Sequence, residues 1–348
     1  MRKKYTRRKK WDWVFAISLL ICLLCLIGIG VYYLDSTDNE LFEEILHPKK
    51  ITIVNEDSDE RPIAVMIDNN TGNDVHAGLQ ESYINYEIIV EGGYTRIMAL
   101  FKDRDVKLIG PVRSSRHYFL DYSLESDAVY AHFGWSTFAE NDIKVLGVNN
   151  INGLTMGDAY WRDKSIAAPH NVYTNKETLL KAITSKKYNT TTDNWKLLNY
   201  STKVINLHKR DSETQPEGLV SANDISIVYS KYQTTSYQYD STNKYYMRFM
   251  NGEKHVDKES KEQLHYKNII IERVRNYSID SYGRQNLETT GVGEGYYITN
   301  GYALPITWQK DSRGSKTIYK YADGSDIEMN DGNTFIQVIP EDANVEIK

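Results

Sequence analysis

A short segment rich in arginine and serine carries the side chains best suited to chemistry in this sequence. Residues 110–117 read Gly-Pro-Val-Arg-Ser-Ser-Arg-His, so two guanidinium groups stand on either side of a serine pair. The pattern predicts a helix over residues 114–123, with Ser114 or Ser115 as its N-cap. A helix N-terminus presents unpaired backbone N–H groups, and arginine adds a planar donor fork that fits carboxylate or phosphate. The predicted anion-binding residues are Arg96, Arg113, Ser114, Ser115 and Arg116.

Two glutamates on a predicted strand form a second candidate site. Alternation along the strand places Glu87 and Glu91 on one face, where their carboxylates could converge. Paired carboxylates act as general acid and base or hydrolyse glycosides, here together with His132. The candidate catalytic residues are therefore Glu87, Glu91 and His132. The alternative for both sites is structural, because the arginines of this region could form internal ion pairs with the glutamates.

Polar side chains next to predicted strand ends complete the predicted pocket. His132 lies near the end of a predicted strand at 128–133, and His170 precedes another strand. Together with Asp68 these histidines could be considered as metal ligands, but their wide spacing matches no metal-binding motif, so no metal and no cofactor are predicted. The further pocket residues are Asp68, Asn69, His170 and Asn171.

The N-terminus predicts where this chemistry takes place. Seven basic residues precede Trp11, and residues 13–34 form an uncharged run. At a rise of 1.5 Å per residue, this run reaches roughly 33 Å as a helix, enough to cross a bilayer core. Basic residues on its N-terminal side keep that end in the cytoplasm. We therefore expect a cell-membrane protein with a single span, an N-terminus in the cytoplasm and most of the chain outside the cell.

Cleavage and lipidation are the alternatives to a retained anchor. A signal peptidase requires small residues at its cleavage site, but the apolar run ends in bulky residues such as Tyr32 and Tyr33. Cys22 is preceded by Ile21, whereas a lipidated cysteine requires a small residue at that position. A retained signal anchor is the favoured interpretation, with lipidation at Cys22 as the alternative.

Composition excludes several classes of site from the extracellular part. The chain carries a net charge of −5. Without the seven basic residues and one aspartate that precede Trp13, the remainder has 35 Lys and Arg against 46 Asp and Glu, a net charge of −11. Such an acidic surface disfavours nucleic acid as a partner. Both cysteines lie within the apolar run, so disulfides, cysteine-ligated zinc and a cysteine nucleophile are excluded beyond it.

The order of predicted elements indicates an α+β fold. An apolar run at 63–67 and a hairpin around Gly92-Gly93 predict strands, whereas Thr137-x-x-Glu140 and Thr174-x-x-Glu177 are capping boxes that predict helices. After residue 198 short alternating segments predict mainly strands. The predicted parts are a cytoplasmic basic tail (1–12), a transmembrane signal anchor (13–34), an acidic tether (35–60), an α/β sheet domain (61–185), a linker (186–198) and a mainly β domain (199–348).

Several motifs, taken in order, resemble those of YerB-like bacterial proteins. In the first part they are Ile63-Ala-Val-Met-Ile-Asp-Asn69, Glu91-Gly-Gly-Tyr-Thr-Arg96, Gly110-Pro-Val-Arg-Ser-Ser-Arg116, Ala131-His132 and Pro169-His-Asn171. The stretch from Gly301 to Pro340 resembles the second conserved region of that family. The resemblance covers roughly residues 60–345. It implies a two-part cell-surface protein, often a lipoprotein, without an assigned activity.

These observations predict a membrane-anchored, extracytoplasmic envelope protein. Its expected partners are the membrane and a cell-wall fragment or envelope protein, but not nucleic acid. The favoured function is non-enzymatic binding of an anionic cell-wall or protein ligand. The alternative is an envelope hydrolase that acts on peptidoglycan or a related glycan with a Glu/His site. An enzyme requires the carboxylates and a histidine in one open cleft, and that requirement separates the two functions.

Overall fold

The computed structural model describes residues 13–25, 50–70, 72–210 and 216–348. The chain divides into one unit at Met1–Lys50 and a compact unit at Ile51–Lys348. Residues 13–25 are helical. In the part of the chain that the structure describes, no helix combines the length and apolar character needed to cross a membrane. The rest of the predicted anchor, residues 26–34, lies outside the described residues, as does the predicted basic tail.

Strands dominate the larger unit. In chain order the first eleven are β1 (Ile63–Asp68), β2 (Ile84–Ile89), β3 (Thr95–Phe101), β4 (Val129–His132), β5 (Asn150–Asn152), β6 (Trp161–Arg162), β7 (Val172–Tyr173), β8 (Tyr200–Ser201), β9 (Val220–Ser221), β10 (Asp224–Ser230) and β11 (Gln233–Asp240). The others are β12 (Tyr245–Met250), β13 (Glu253–Lys254), β14 (His265–Tyr266), β15 (Asn268–Val274), β16 (Asn276–Ser278), β17 (Gln285–Leu287), β18 (Gly291–Thr299), β19 (Tyr302–Lys310), β20 (Ile318–Tyr321), β21 (Met329–Asn330), β22 (Thr334–Pro340) and β23 (Asn344–Ile347). The α-helices described in this unit are α1 (Phe119–Glu125), α2 (Thr137–Val145) and α3 (Lys176–Ser185).

One mixed sheet of eleven strands forms the centre of the fold. Its order is β20-β19-β18-β15-β22-β2-β3-β1-β4-β5, with β9 paired to β19. The late strand β22 runs parallel between β15 and β2, so both halves of the chain contribute to this sheet. The fold is thus mixed α+β, as predicted. The α/β and β-rich parts that the sequence distinguishes are nevertheless hydrogen-bonded into one sheet.

A second sheet and a helix cover the two faces of the central strands. The second sheet has six strands in the order β13-β12-β11-β10-β23, with β14 paired to β12. On β2, Tyr86 packs against Tyr122 of α1, with ring centroids 4.8 Å apart. Its neighbour Glu87 points the opposite way and contacts Arg248 of β12 at 2.6 Å. Strand β2 is therefore buried between a helix and the six-stranded sheet, which explains why all six of its residues are buried.

Most local predictions in the first part are confirmed, with small shifts at helix starts. Strand β1 and the hairpin of β2 and β3 occur where predicted, and Ile84 pairs with Leu100. Helices α2 and α3 also occur where the capping boxes predicted them. Their N-caps lie one residue away from the predicted threonines. Ser136 accepts a hydrogen bond from the N–H of Ala139 at 3.2 Å, and Asn175 accepts one from Thr178 at 2.8 Å.

The helix predicted over residues 114–123 is wrong at its start. Helix α1 begins only at Phe119, and its N-cap Tyr118 makes no side-chain capping bond. Ser115 instead donates its backbone N–H to the carbonyl of Gly134 at 2.9 Å and forms a parallel bridge with Trp135. This long-range pairing replaces the local helical turn. Neither predicted serine caps a helix, and no helix N-terminus supports the predicted anion site there.

The predicted acidic tether is too long at its C-terminal end. Ile51, Ile53 and Val54 are buried in the hydrophobic core. The carboxylate of Asp331 accepts hydrogen bonds from the backbone N–H groups of Thr52 and Ile53 at 2.9 and 3.0 Å. Residues 51–60 therefore belong to the folded unit, because their apolar side chains fill its core. Residues 35–49 of the predicted tether lie outside the described residues.

This packing predicts a difference between two truncated proteins. A fragment that begins at residue 51 keeps the three buried aliphatic side chains, whereas one that begins at residue 61 loses them. Complete burial of each such side chain is worth about 1.5–3 kcal/mol, so the shorter fragment should lose at least ~3 kcal/mol of unfolding free energy. Urea denaturation of the two fragments measures this difference. Equal midpoints and slopes would show that residues 51–60 do not stabilise the fold.

Candidate functional site

Most of the predicted site residues meet at one edge of the eleven-stranded sheet. Asp68 ends β1, and its register partner Arg96 lies near the start of β3. Strand β4 runs parallel to β1, so His132 lies at the same edge. Contacts and nearby charges group six residues here, which we call the arginine cluster. It consists of Asp68, Glu91, Arg96, Arg113, Arg116 and His170.

Asp68 is the buried carboxylate of the arginine cluster. Its Oδ2 lies 3.2 Å from Nε of Arg113 and also contacts Nδ1 of His170. Its Oδ1 accepts a hydrogen bond from the backbone N–H of Asn70 at 3.1 Å. The Asp68 side chain is only 2% exposed, whereas Arg113 and His170 are 21% and 26% exposed. The guanidinium of Arg113 and the imidazole of His170 thus lie between the buried carboxylate and solvent.

Glu91 holds the second arginine. Its Oε1 lies 2.6 Å from Nε of Arg116, and the same guanidinium donates to the carbonyl of Ser115 at 2.8 Å. Partial burial alone raises the pKa of Glu91, but the hydrogen bond and charge of Arg116 outweigh it and lower the pKa below its ordinary value. Glu91 is therefore ionised at neutral pH, and Arg116 is largely fixed by an internal partner.

Arg96 gives the cluster its excess positive charge. Its guanidinium is buried and donates to the backbone carbonyl of Ser114. Burial, followed by the nearby charges of Arg116 and Arg113, lowers the pKa of Arg96 to about 10. It still carries a proton at neutral pH. Three guanidinium groups thus stand close together against two carboxylates, an arrangement that attracts an anion.

Glu87 lies outside the cluster, on the opposite side of β2 from α1. It is fully buried, and its Oε2 contacts Nη2 of Arg248 at 2.6 Å. Thr235 donates to the same carboxylate at 2.9 Å, and Asn69 donates to its Oε1 at 2.9 Å. Both oxygens are occupied by structural partners. The sequence anticipated internal pairing as an alternative, but with arginines of the first part rather than with Arg248.

His132 is near the cluster but closed off from solvent. Its Nδ1 lies 2.8 Å from the carbonyl oxygen of Gly134, and Nε2 lies 3.2 Å from Oδ1 of Asn150. Burial lowers the pKa of His132 to about 4, so the ring is neutral at pH 7. His132 and Glu87 therefore do not share an open cleft, which is the arrangement that the predicted Glu/His chemistry requires.

The remaining predicted residues serve mainly as supports. Ser115 is fully buried and accepts a hydrogen bond from the Tyr130 hydroxyl at 3.0 Å. Asn171 donates to the carbonyl of Asp163 at 3.1 Å and accepts from Arg162 at 2.7 Å. These bonds hold the segment that carries His170. Among the described residues, no group of three or more His, Cys, Asp or Glu side chains is arranged to hold a metal ion.

A buried chain of side chains behind the cluster was not predicted. His76 contacts the backbone carbonyl of Asp68 through Nε2 at 2.6 Å, and its Nδ1 lies 2.9 Å from Nε2 of His255. His255 in turn contacts Arg248, the partner of Glu87. The chain links the arginine cluster to the six-stranded sheet. Its members come from distant parts of the sequence, and no local motif marks them.

Both parts of the folded unit match one family of proteins. Residues 51–189 match the profile described as "Protein of unknown function (DUF3048) N-terminal domain", and residues 225–336 match the corresponding C-terminal domain. The chain is 27% identical over 288 residues to a protein described as "Putative lipoprotein YerB" from Bacillus subtilis (strain 168), covering 82% of each sequence. The crystal structure of YerB from that organism aligns with this structure with a TM-score of 0.71. The alignment covers 82% of this chain and 94% of the YerB chain.

The paired charges differ in burial, which predicts unequal costs of substitution. Arg248→Gln leaves Glu87 buried without its counter-charge and should cost about 3–5 kcal/mol. The double change Arg113→Gln/Arg116→Gln should cost only about 1–2 kcal/mol, because Glu91 is partly exposed and Asp68 keeps His170. Chemical denaturation of the three proteins measures both costs. If the double variant were as unstable as the Arg248 variant, Arg113 and Arg116 would have a structural role instead.

His132 predicts a pH dependence of stability. Unfolded histidine takes up a proton below pH 6.5, whereas folded His132 does so only near pH 4. Its contribution is therefore complete above pH 6.5 and is lost as pH falls towards 4, by up to about 3 kcal/mol. Relative to wild type, His132→Gln should lose less stability over this window. Urea titrations at several pH values give the difference, and parallel curves for the two proteins would contradict it.

Proposed function

Because the chain belongs to the YerB-like family with its two DUF3048 domains, we propose that it is an envelope protein that binds an anionic ligand outside the cell. The name of its Bacillus relative as a lipoprotein supports a location at the membrane surface. The basic cluster before Trp11 and the uncharged run at 13–34 support a single N-terminal anchor with the rest outside. Lipidation at Cys22 is the alternative means of attachment.

The observation that carries the proposal is the uneven charge of the arginine cluster. Three guanidinium groups face two carboxylates, although the extracellular part as a whole is acidic. Arg113 and His170 are partly exposed, so the remaining N–H groups of Arg113 and Nε2 of His170 can reach a ligand. Because Arg116 and Arg96 are held by Glu91 and by a backbone carbonyl, their positions are set before the ligand arrives.

The ligand is an anionic cell-wall fragment or a carboxylate of an envelope protein. Guanidinium groups recognise carboxylate and phosphate through paired N–H donors, which suits both classes. Binding without catalysis is the primary proposal, since the predicted residues Glu87 and His132 are occupied by structural hydrogen bonds.

Hydrolysis is a second candidate, and a different pair of residues favours it. Asp68 contacts Nδ1 of His170, the contact that orients a histidine as a general base. Nε2 of His170 has no hydrogen-bond partner among the described residues, and the ring is 26% exposed. A glycan or ester bound by the neighbouring arginines would then meet a water activated by His170.

Binding and turnover can be tested in one experiment with full-length protein in detergent micelles. Purified cell-wall fragments that carry phosphate or carboxylate groups should bind wild type, with affinity that falls as salt increases. Arg113→Gln/Arg116→Gln should weaken binding at least tenfold. Lys144→Gln/Lys181→Gln, which removes two exposed helix charges, is the matched control and should bind normally.

The outcomes separate the two candidates. Equal binding by both double variants would refute the arginine cluster as the site. Breakdown of the fragments by wild type, abolished in His170→Gln while binding persists, would replace the binding function with hydrolysis. Binding without breakdown supports the primary proposal.

A further inference from the structure

A second positively charged pocket lies away from the arginine cluster, where the turn between β11 and β12 meets the turn between β18 and β19. It has a volume of about 540 Å³, within the range of small-molecule sites. Its lining combines two lysines, three aromatic rings and several small polar side chains. The residues used below are Lys244, Lys267, His208, Tyr239, Asn300 and Tyr302. We call this site the lysine pocket.

The charges of the lysine pocket are not neutralised. Nζ of Lys267 donates to Oδ1 of Asn300 at 2.8 Å and to the backbone carbonyl of Lys244 at 3.1 Å. Among the described residues, no carboxylate lies within ion-pair distance of either lysine. Burial, and then the charge of Lys244, lower the pKa of Lys267. Two cations therefore repel each other in a pocket that contains no counter-ion of its own.

The buried lysines elsewhere in the described chain provide the contrast. Lys102, Lys176 and Lys310 are each buried, and each contacts a carboxylate at 2.5–2.6 Å. Such pairing is the rule, because an unpaired buried charge loses its hydration without compensation. Lys267 is half-buried, and its partners are the amide oxygen of Asn300 and the backbone carbonyl of Lys244 rather than a carboxylate. An anionic ligand would supply the negative charge that Lys267 lacks.

The other groups of the lysine pocket indicate that its ligand is larger than an inorganic anion. The Tyr239 hydroxyl is buried and has no hydrogen-bond partner among the described residues, a state that costs free energy unless a ligand satisfies it. Tyr239 lies directly against Gly301, where an added Cβ would stand 2.8 Å from its ring, so only glycine allows this close contact. The rings of His208 and Tyr302 contact each other at the same pocket, with centroids 4.7 Å apart and planes inclined by 32°.

We infer that the lysine pocket binds a saccharide-sized ring compound that carries a phosphate or carboxylate group. Lys244 and Lys267 bind the anionic group, and the Tyr239 hydroxyl and Asn300 amide bond to ring substituents. The aromatic rings of His208 and Tyr302 supply the contact surface that sugars require. This site is independent of the arginine cluster, since the two sets share no residue.

The experiment measures binding of four probes to full-length protein in detergent micelles by isothermal titration calorimetry. Glucose 6-phosphate and glucuronate distinguish phosphate from carboxylate, glucose lacks the anion, and inorganic phosphate lacks the ring. At least one anionic sugar should bind saturably and at least tenfold more tightly than glucose and phosphate. Lys244→Gln/Lys267→Gln should abolish that difference, and Tyr239→Phe should weaken binding several-fold.

Three controls keep the result interpretable. Lys231→Gln/Lys254→Gln removes the same charge from the same sheet and should leave binding unchanged. Arg113→Gln/Arg116→Gln should also leave it unchanged, which separates this site from the proposed function. Lys244→Gln alone, at an exposed turn residue, should weaken binding even if the Lys267 substitution impairs folding. No saturable binding, equal binding of phosphate alone, or equal loss in the control double variant would overturn the inference.

Discussion

The ion pair between Glu87 and Arg248 joins the two sheets of this protein. Both side chains are fully buried, and removing either would leave a charge that no water can reach. Burial alone would lower the pKa of Arg248, but the charge of Glu87 raises it, so the guanidinium is charged. Hydrogen bonds from Thr235 and Asn69 satisfy the rest of the carboxylate. Because the ion pair and these hydrogen bonds have defined directions, they favour one position of the six-stranded sheet over β2.

The position of the six-stranded sheet also affects the candidate site, through a chain of side-chain contacts. Arg248 contacts His255, His255 contacts His76, and His76 contacts the backbone of Asp68. Asp68 then presents its carboxylate to Arg113 and His170 at the sheet edge. Arg248 thus contacts a carboxylate, whereas Arg96 and Lys267 donate to uncharged groups. The arginine cluster and the lysine pocket each carry positive charge that their own residues do not fully neutralise, which suits both to an anionic ligand.

Local sequence patterns predicted a substantial part of this arrangement. The apolar run of β1, the glycine turn between β2 and β3, and the two capping boxes were located to within a residue or so. The motif around Arg113 and Arg116 lies at the sheet edge beside Asp68. The helix start at Ser114 was wrong because Ser115 pairs with the loop at Gly134, nineteen residues further on, and local propensity contains no information about that partner.

The sequence by itself determined the composition of each region: a basic and apolar N-terminus, an acidic remainder without cysteine, and strands and helices set by short-range periodicity. Only the tertiary structure decided which charges would be neutralised. Glu87 meets an arginine 161 residues away, and β22 enters the sheet beside β2 after most of the chain has passed. Such contacts depend on how whole sheets stack. The same arginines and glutamates can therefore form a ligand site or an internal ion pair, and their spacing along the chain does not distinguish the two.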